Sequence, residues 1–146
     1  MIDVAPATSA DLDAIDEIER VSFPVPWPRE TFAAELDRAW ARVDVARQAG
    51  RIVAFCNYWL VTTELHVLAI ATLPGERGRG IARDLLAHVL AVGVTAGCTL
   101  ATLEVRRSNA AAIALYERAG FKTVHVRARY YHDDGEDALV MLADLA

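Results

Sequence analysis

Residues 103–121 read LEVRRSNAAAIALYERAGF and contain the pattern of a strand, a turn and a helix. The first letters end an apolar run, TLATLEVR (99–106), which has strand character and carries one acid, Glu104. The helical pattern NAAAIALYERAG (109–120) follows, and Gly120 is suited to end it because glycine tolerates the left-handed backbone found after many helices. A strand that leads directly into a helix predicts a fold in which helices pack against a sheet.

The same two patterns alternate along the whole chain. Period-two apolar runs predict seven strands, at 2–7, 42–48, 51–61, 64–72, 99–106, 123–131 and 137–145. Apolar spacings of three and four predict four helices: one that Thr8 or Ser9 caps, and three at about 28–40, 80–96 and 109–120. Phe32, Leu36 and Trp40 share a face of the second helix. The order β-α-α-β-β-β-α-β-α-β-β predicts an α/β or α+β protein with a mixed sheet, and not a doubly wound βαβ repeat.

Two connections carry specific turn chemistry. FPVPWP (23–28) has three prolines at alternate positions and must be an irregular loop, because proline cannot continue a helix. Ala49-Gly50 separates two strand patterns by two residues, which predicts a tight hairpin. The sequence contains no repeat and no low-complexity linker, so we expect residues 1–146 to form one domain.

The composition is that of an ordinary globular domain. Of the 146 residues 54% are hydrophobic, which is enough to build a core, and Gly and Pro are too few for a disordered or fibrous chain. No run of about 18 apolar residues occurs. The N-terminal MIDVAPATSADLD lacks the basic and apolar regions of a secretory signal. We therefore expect a cytoplasmic protein that does not bind a membrane.

The net charge and the placement of Cys and His argue against a nucleic-acid-binding protein and against a metalloprotein. The net charge of −5 is opposite to that of a protein that follows nucleic-acid phosphates, and it suits a basic or amine-bearing partner. Cys56 and Cys98 have no CxxC spacing, so we expect two buried, reduced thiols. The four histidines show no ligand spacing with either cysteine, and no metal site is expected.

A second stretch, ERGRGIARDLL (76–86), places three arginines and two glycines where a loop becomes a helix. The first N–H groups of a helix have no intrahelical acceptor, and glycine lets a ligand approach the backbone. Gly78 and Gly80 therefore predict a phosphate or pyrophosphate site. The residues after Gly80 do not fit a P-loop, and the third glycine of a dinucleotide fingerprint is missing. The alternative is a solvated arginine loop that caps an ordinary helix.

Four stretches together resemble the GNAT N-acetyltransferases and, among them, the RimI-type protein N-terminal acetyltransferases. They are FPVPWPRETF (23–32), RGRGIARDLL (77–86), LEVRRSNAAAIALYERAGF (103–121) and RARYYHDDGEDALVM (127–141), in the order of that family. The third stretch is the most specific. The resemblance implies a GNAT fold, which is one domain with a mixed, mostly antiparallel sheet of about seven strands. The sheet would splay between strands 4 and 5 and be flanked by about four helices.

The resemblance also implies a co-substrate, acetyl-coenzyme A (acetyl-CoA), and no metal. The pantetheine arm and acetyl group would lie against the backbone of Ile70, Ala71 and Thr72, where the splayed strands leave a sheet edge open. Asn109 would reach the cofactor from the other side, and a loop would wrap the pyrophosphate. The loop residues are Arg77, Gly78, Arg79, Gly80, Ile81, Ala82 and Arg83. The chain departs from the family at TLPGE, where many members have Asp before Pro, and at Arg77, which replaces a glutamine, but neither change removes backbone donors.

Transfer of an acetyl group from a thioester to an amine needs a base for the ammonium, donors for the oxyanion and an acid for the leaving thiolate. The resemblance assigns Glu104 as general base, acting directly or through water, Tyr116 as general acid, and a backbone N–H near Ile70 as oxyanion donor. An acid within an apolar strand is expected to be partly buried, which would raise the pKa of Glu104 toward a useful range. The alternatives are an ion pair of Glu104 with Arg106 or another strand arginine, a core role for Tyr116, and His66 as the base.

The acceptor would enter from the opposite mouth of the splayed strands. Trp27 in FPVPWP, and Tyr130 and Tyr131 in RYYHDDGE, are the candidate walls, with ordinary packing as the alternative. The RimI-type resemblance implies that the acceptor is a protein N-terminus, first that of a ribosomal protein beginning with alanine and then other N-termini. The alternatives are acetylation of lysine side chains, small amines or charged tRNA, and a CoA-binding module without turnover. We expect a monomer that makes no direct contact with nucleic acid.

Overall fold

The computed structural model describes residues 2–145, which form one seven-stranded sheet with helices on both faces. The strands are β1 (Asp3–Pro6), β2 (Ala41–Gln48), β3 (Arg51–Val61), β4 (Glu64–Thr72), β5 (Leu100–Arg106), β6 (Lys122–Arg127) and β7 (Ala138–Asp144). The helices are α1 (Leu12–Ser22), α2 (Arg29–Leu36), α3 (Ile81–Thr95) and α4 (Ala110–Arg118). The predicted order of elements is confirmed. No helix within residues 2–145 combines the length and apolar character needed to cross a membrane.

The sheet is mixed and mostly antiparallel, with the spatial order β1-β2-β3-β4-β5-β7-β6. Only the central pair, β4 and β5, is parallel. The hairpin between β2 and β3 turns through Ala49 and Gly50, with φ of 51° and 81°. Two consecutive residues with positive φ make the tight two-residue turn that the sequence predicts.

Two apolar clusters fix the helices to the sheet. On one face α1 and α2 bury the predicted apolar stripe, with Ile15, Ile18 and Phe32 inaccessible to solvent. On the other face α3 buries Leu85 and Leu86 and packs mainly on β3 and β4. Because side chains alternate along a strand, the central strands supply apolar residues to both clusters.

Two predicted elements are too long. Helix α2 ends at Leu36, and Trp40 lies 47% exposed in the turn to β2 instead of on the helix. The chain must leave the helix there because Ala41 already pairs with Trp59 of β3. Strand β6 ends at Arg127, so Tyr130 and Tyr131 lie in the following loop. The positive φ of Arg129, 52°, is incompatible with an extended strand.

The sheet opens between β4 and β5, as predicted. These strands pair only from Glu64 to Val67 on β4, opposite Leu100–Leu103. The register of β4 with β3 then shifts, which leaves Leu68 as an extra residue in a β-bulge. Beyond the bulge β4 continues along β3 but no longer pairs with β5. The sheet therefore has a gap beside residues 68–72 of β4.

Candidate active site

Two connected cavities meet at this gap. The first, of about 570 Å³, is bordered by the loop before α3 and is called the loop groove. The second, of about 800 Å³, is bordered by Trp27, Tyr130 and Tyr131 and is called the aromatic cavity. The two cavities share lining residues from the end of α1, from β4 and from the start of α4: Ser22, Phe23, Ile70, Asn109 and Ala112. A ligand could thus extend from one cavity into the other through the gap.

The open edge of β4 presents backbone groups to this passage. Leu73 donates its N–H to the carbonyl of Val53 at 2.9 Å, so Leu73 faces β3. Successive residues of an antiparallel strand face opposite sides, so Thr72 and Ile70 direct their N–H and C=O groups toward the gap. This is the edge at which the sequence predicts the pantetheine arm and the oxyanion donor.

The loop groove ends at the start of α3, where backbone N–H groups are left without intrahelical partners. Gly78 and Gly80 both have φ of +80°, a left-handed conformation that glycine adopts without strain. The first hydrogen bond of α3 joins the Asp84 N–H to the Gly80 carbonyl at 3.0 Å. The N–H groups of residues 81–83 therefore have no intrahelical acceptor and face the end of the groove where positive potential is concentrated.

The arginines of this loop have different environments. Arg77 is held in place, because its Nε donates to the Thr72 carbonyl at 3.0 Å and its Nη2 to Ser22 Oγ at 3.3 Å. Arg83 lines the groove and pairs with Asp84 at 3.2 Å. Arg79 does not line the groove, and its guanidinium lies 3.4 Å from Glu76. Of the three, Arg79 is the one that the structure does not bring to the site.

Helix α4 forms the opposite wall of the loop groove. Asn109 caps this helix, with its Oδ1 accepting the N–H of Ala112 at 3.2 Å. Sequence reasoning missed most of this wall, namely Ala111, Ala112, Leu115 and Arg118. Arg118 forms no ion pair with any other residue in 2–145, so its charge faces the groove unneutralised. In the sequence Arg118 is an ordinary arginine in the last turn of a helix, and only the packing of α4 beside the gap shows that it lines the groove.

Glu104 lines the aromatic cavity, and its side chain is 35% exposed, so the carboxylate is partly buried and partly open to solvent. The apolar neighbours of Glu104 along β5 point to the other face of the sheet, and β4 has already moved away from this side. The Arg127 Nε lies 3.6 Å from Glu104 Oε2, which matches the alternative of an ion pair with another strand arginine, though not with Arg106.

Tyr116 combines the core and the cavity positions that the sequence left open. Its ring is buried, with its centroid 5.8 Å from that of Phe121, and the residue also lines the aromatic cavity. Burial raises the pKa of its hydroxyl above the ordinary value, and the nearby Cys56 and Tyr131 add to the effect. The hydroxyl is therefore protonated across the neutral range.

Tyr130 and Tyr131 are held over the cavity by an ionic network. Their rings pack edge to face with centroids 5.1 Å apart, and the Arg106 guanidinium lies 4.0 Å from the centre of the Tyr131 ring. Arg106 also binds Asp133 at 2.9 Å and reaches Asp134 and Glu136. Burial, as the main cause, raises the pKa of Tyr131 to about 12.

The remaining wall contains a carboxylate that sequence reasoning missed. The centroid of the Trp27 ring lies 5.5 Å from that of Phe32. The backbone N–H of Trp27 donates to Glu19 Oε2 at 3.0 Å. Glu19 is only 4% exposed and lines the aromatic cavity. Burial raises the pKa of Glu19, the Trp27 hydrogen bond lowers it, and the nearby Asp16 raises it further. In the sequence Glu19 is one of several acids on a predicted helix, and no local pattern distinguishes it.

Other candidate chemistry lies away from these cavities. His66 pairs with Glu64 at 3.1 Å on the surface and lines neither cavity, so it is not placed to act as the base. Cys56 and Cys98 are buried and unpaired with each other, as predicted, and burial raises the pKa of both thiols. Within residues 2–145 no group of three or more His, Cys, Asp or Glu side chains could hold a metal ion.

The fold and the two cavities define the class of the protein. A mixed sheet that splays beside a glycine-opened helix, with a carboxylate and a phenol lining the gap, has the parts needed for transfer of an acyl group to an amine. The acetyltransferase (GNAT) family matches residues 12–121, more than half of the chain, and the chain belongs to this family.

Within the family the chain is similar to RimI-type N-acetyltransferases. It is 36% identical over 135 residues to the ribosomal protein bS18 alanine N-acetyltransferase of Escherichia coli (strain K12), which covers 91% of this chain and 90% of that protein. It is 34% identical over 149 residues to the N-alpha-acetyltransferase RimI of Mycobacterium tuberculosis, covering 98% and 92%. The crystal structure of the Escherichia coli ribosomal-protein-S18-alanine N-acetyltransferase matches with a TM-score of 0.92 at 34% identity, covering 100% of this chain and 95% of that one. The predicted family, fold and enzyme class are confirmed.

Proposed function

We propose that this N-acetyltransferase moves an acetyl group from acetyl-CoA to the N-terminal α-amino group of a protein. The observation that carries the proposal is the passage between the two cavities at the open edge of β4. This passage lets acetyl-CoA extend from the start of α3 at Gly80 to Glu104 and Tyr116. The acceptor amine can then reach the acetyl-CoA thioester from the aromatic cavity, on the side away from the rest of the cofactor.

The donor side fits acetyl-CoA in charge and shape. The pyrophosphate is proposed to lie on the N–H groups of residues 78–83, with Arg83 and Arg118 adding positive charge. The pantetheine arm is proposed to run along the edge of β4 as an added strand would, with its amides bonded to the backbone of residues 70–72. The Thr72 carbonyl already accepts a hydrogen bond from Arg77. The backbone groups left to bind the pantetheine arm are therefore the N–H and C=O of Ile70 and the N–H of Thr72.

The chemical step is proposed to use Glu104, Ile70 and Tyr116. Glu104 takes one proton from the acceptor ammonium, directly or through water, and the neutral amine nitrogen then attacks the thioester carbonyl carbon. The Ile70 N–H stabilises the oxyanion as the new C–N bond forms. As the intermediate collapses, the C–S bond breaks and Tyr116 gives its proton to the thiolate. The nitrogen loses its second proton through water to the Tyr116 phenolate, and Glu104 releases the first proton to solvent. The products are the acetylated N-terminus and coenzyme A.

Two features of the site bear on these roles. Arg127 is more than half exposed, and an exposed ion pair contributes only about 0–1 kcal/mol, so an incoming ammonium can replace Arg127 on Glu104. A buried phenol is a weaker acid than one in water, which works against proton transfer from Tyr116. A thiolate leaving in the same dry site is destabilised as well, and this partly offsets the difference.

The acceptor is proposed to be the N-terminus of a ribosomal protein that begins with alanine, as the names of the similar enzymes suggest, with other N-termini as further substrates. An acceptor on the ribosome places the reaction in the cytoplasm. The Glu104 carboxylate in the aromatic cavity favours a positively charged amine. Residues 1–146 are proposed to form one domain that works as a monomer.

The proposal is tested by measuring coenzyme A release over a panel of peptides that vary at their first two residues. Free lysine, polyamines and N-terminally blocked peptides that contain lysine form the comparison panel. We expect peptides with a free N-terminal alanine to react fastest. Faster turnover of the free amines or of the blocked peptides would contradict α-amino specificity, and carrier binding without turnover of any acceptor would indicate a non-catalytic CoA-binding module.

A further inference from the structure

The segment 23–28 forms one wall of the aromatic cavity and has few ways of being held there. Pro24, Pro26 and Pro28 have no backbone N–H. Only Phe23, Val25 and Trp27 can donate backbone hydrogen bonds. The segment can therefore donate at most three backbone hydrogen bonds to hold its position, besides the packing of its apolar side chains.

Both backbone hydrogen bonds that the segment donates within residues 2–145 end on Glu19. The Phe23 N–H donates to the Glu19 carbonyl at 3.1 Å, and the Trp27 N–H donates to the Glu19 carboxylate at 3.0 Å. The first bond continues the helical pattern of α1 and would form with any residue at position 19. The second bond depends on the side chain and spans eight residues.

The environment of the Glu19 carboxylate is unfavourable for a charged group. A buried carboxylate is stable only when its oxygens have partners, yet Glu19 Oε1 has none among the described residues. Glu19 is not part of any ion pair within residues 2–145, and the nearby Asp16 repels its charge. Within residues 2–145 the bond from the Trp27 backbone N–H is thus the one hydrogen bond that the Glu19 side chain makes. A buried carboxylate whose single hydrogen bond holds the backbone of a proline-rich loop points to a role in positioning that loop.

We infer that Glu19 is a positioning residue that fixes segment 23–28, and Trp27 in particular, where the acceptor binds. This inference rests on the proposed function. Glu19 is not proposed to touch the reacting atoms, so its loss acts on acceptor binding and not on the donor. The donor side has an anchor of its own, because Arg77 holds Ser22 at the end of α1.

The test compares Glu19→Ala and Glu19→Gln with the control Glu17→Ala, which lies exposed on the same helix. Michaelis constants are measured separately for the acceptor peptide and for acetyl-CoA. We expect Glu19→Ala to raise the acceptor KM by about tenfold, the effect of losing one hydrogen bond to a charged group. The acetyl-CoA KM and kcat stay within about twofold. Glu19→Gln restores the acceptor KM because its amide oxygen accepts the Trp27 N–H, and Glu17→Ala behaves as the wild type.

An unchanged acceptor KM in folded Glu19→Ala, or an equal rise in both Michaelis constants, would overturn the inference. Hydrogen exchange of the Trp27 amide gives a second readout that does not need turnover. We expect slow exchange in the wild type and in Glu19→Gln, and exchange at least about tenfold faster in Glu19→Ala. An unprotected Trp27 amide in the wild type overturns the inference even if Glu19→Ala does not fold. If no peptide is acetylated, the proposed function fails while amide exchange still decides the role of Glu19.

Discussion

The carboxylate of Glu104, the proposed general base, is only partly buried, with its side chain 35% exposed. It stands on β5 where β4 has moved away, so that one side of it is open to the aromatic cavity. Arg127 balances its charge from β6 at 3.6 Å. The acceptor ammonium carries the same charge as this guanidinium and can take its place.

Replacement of Glu104 by Gln tests its role as the base. Glutamine keeps the shape but cannot accept the ammonium proton, so we expect kcat to fall by about 10²- to 10⁴-fold. Affinity for acetyl-CoA, measured by calorimetry, should stay within about twofold of the wild type. Glu64→Gln, an exposed acid on β4 away from both cavities, serves as the control and should retain full activity. A Glu104→Gln enzyme with normal kcat would remove Glu104 from the mechanism.

The buried Glu19 predicts a pH-dependent difference in stability. Burial raises its pKa above the ordinary value of 4.5, so the folded state holds the proton more tightly than the unfolded state. The stability this provides is fully present below pH 4.5 and is lost as the pH rises through the folded pKa. Glu19→Gln does not titrate, so its unfolding free energy relative to the wild type should increase between pH 4 and pH 8. Each tenfold difference in proton affinity corresponds to about 1.4 kcal/mol.

Denaturant unfolding at several pH values measures this difference directly. Glu17→Gln, which changes an exposed acid on the same helix, is the control and should follow the wild type across the range. A Glu19→Gln curve that runs parallel to that of the wild type at all pH values would show that Glu19 titrates alike in the folded and unfolded chains.

At the scale of elements, the start of α3 depends on its glycine. Gly80 has φ of +80°, and a Cβ atom placed on it would lie 2.7 Å from the Arg83 guanidinium. We expect Gly80→Ala to disturb both the loop and Arg83 and to weaken acetyl-CoA binding by about tenfold or more, the effect of losing one charge-assisted contact. Gly50→Ala is the matched control, because Gly50 has φ of +81° with open space around it and lies in a hairpin away from the groove. It should lower stability by about 1–2 kcal/mol and leave carrier affinity intact.

The conformation of the loop between β6 and β7 depends on the side chain of Arg106. This side chain stacks on Tyr131 and pairs with three acids of the loop, so its loss frees both tyrosines of the cavity wall. We expect Arg106→Ala to raise the acceptor KM by about tenfold or more while the acetyl-CoA KM changes little. Lysine should rescue poorly, since an ammonium cannot reproduce the planar, multidentate contacts of a guanidinium. Arg51→Ala, an exposed change at the start of β3, is the control, and a normal acceptor KM in Arg106→Ala would contradict the role of the loop.

Local chemistry explains which elements could be predicted from the sequence. Ala49-Gly50, the three prolines of 23–28 and Gly120 act through their own backbone preferences, and each forms the expected turn, loop or helix end. The end of α2 at Leu36 could not be predicted, because pairing of the next strand overrides the apolar spacing of Trp40. The bulge at Leu68 lies within an uninterrupted apolar run and has no local signal.

At the scale of the whole molecule, the site assembles from parts that are distant in the sequence. Glu104 and Tyr116 were recognised through one specific stretch, and the structure brings both to the cavity that Trp27 and Tyr131 border. Glu19 and Arg118 were not recognised, since an acid or an arginine on a helix is ordinary until its neighbours are known. The insertion of β7 between β5 and β6 also depends on packing that the order of elements does not specify.

The short pairing of β4 with β5 has a mechanical consequence. Four residue pairs join β4 to β5, and past the Leu68 bulge the two halves of the sheet are separate. Acetyl-CoA bound in the gap would contact both halves and bridge the two strands where they do not pair with each other. Because it would bind only the folded chain, saturation at about 100 times its dissociation constant should add about 2.7 kcal/mol to the unfolding free energy and raise the melting temperature. Calorimetric scans with and without acetyl-CoA measure the effect, and an unchanged melting temperature would mean that acetyl-CoA does not bind preferentially to the folded chain.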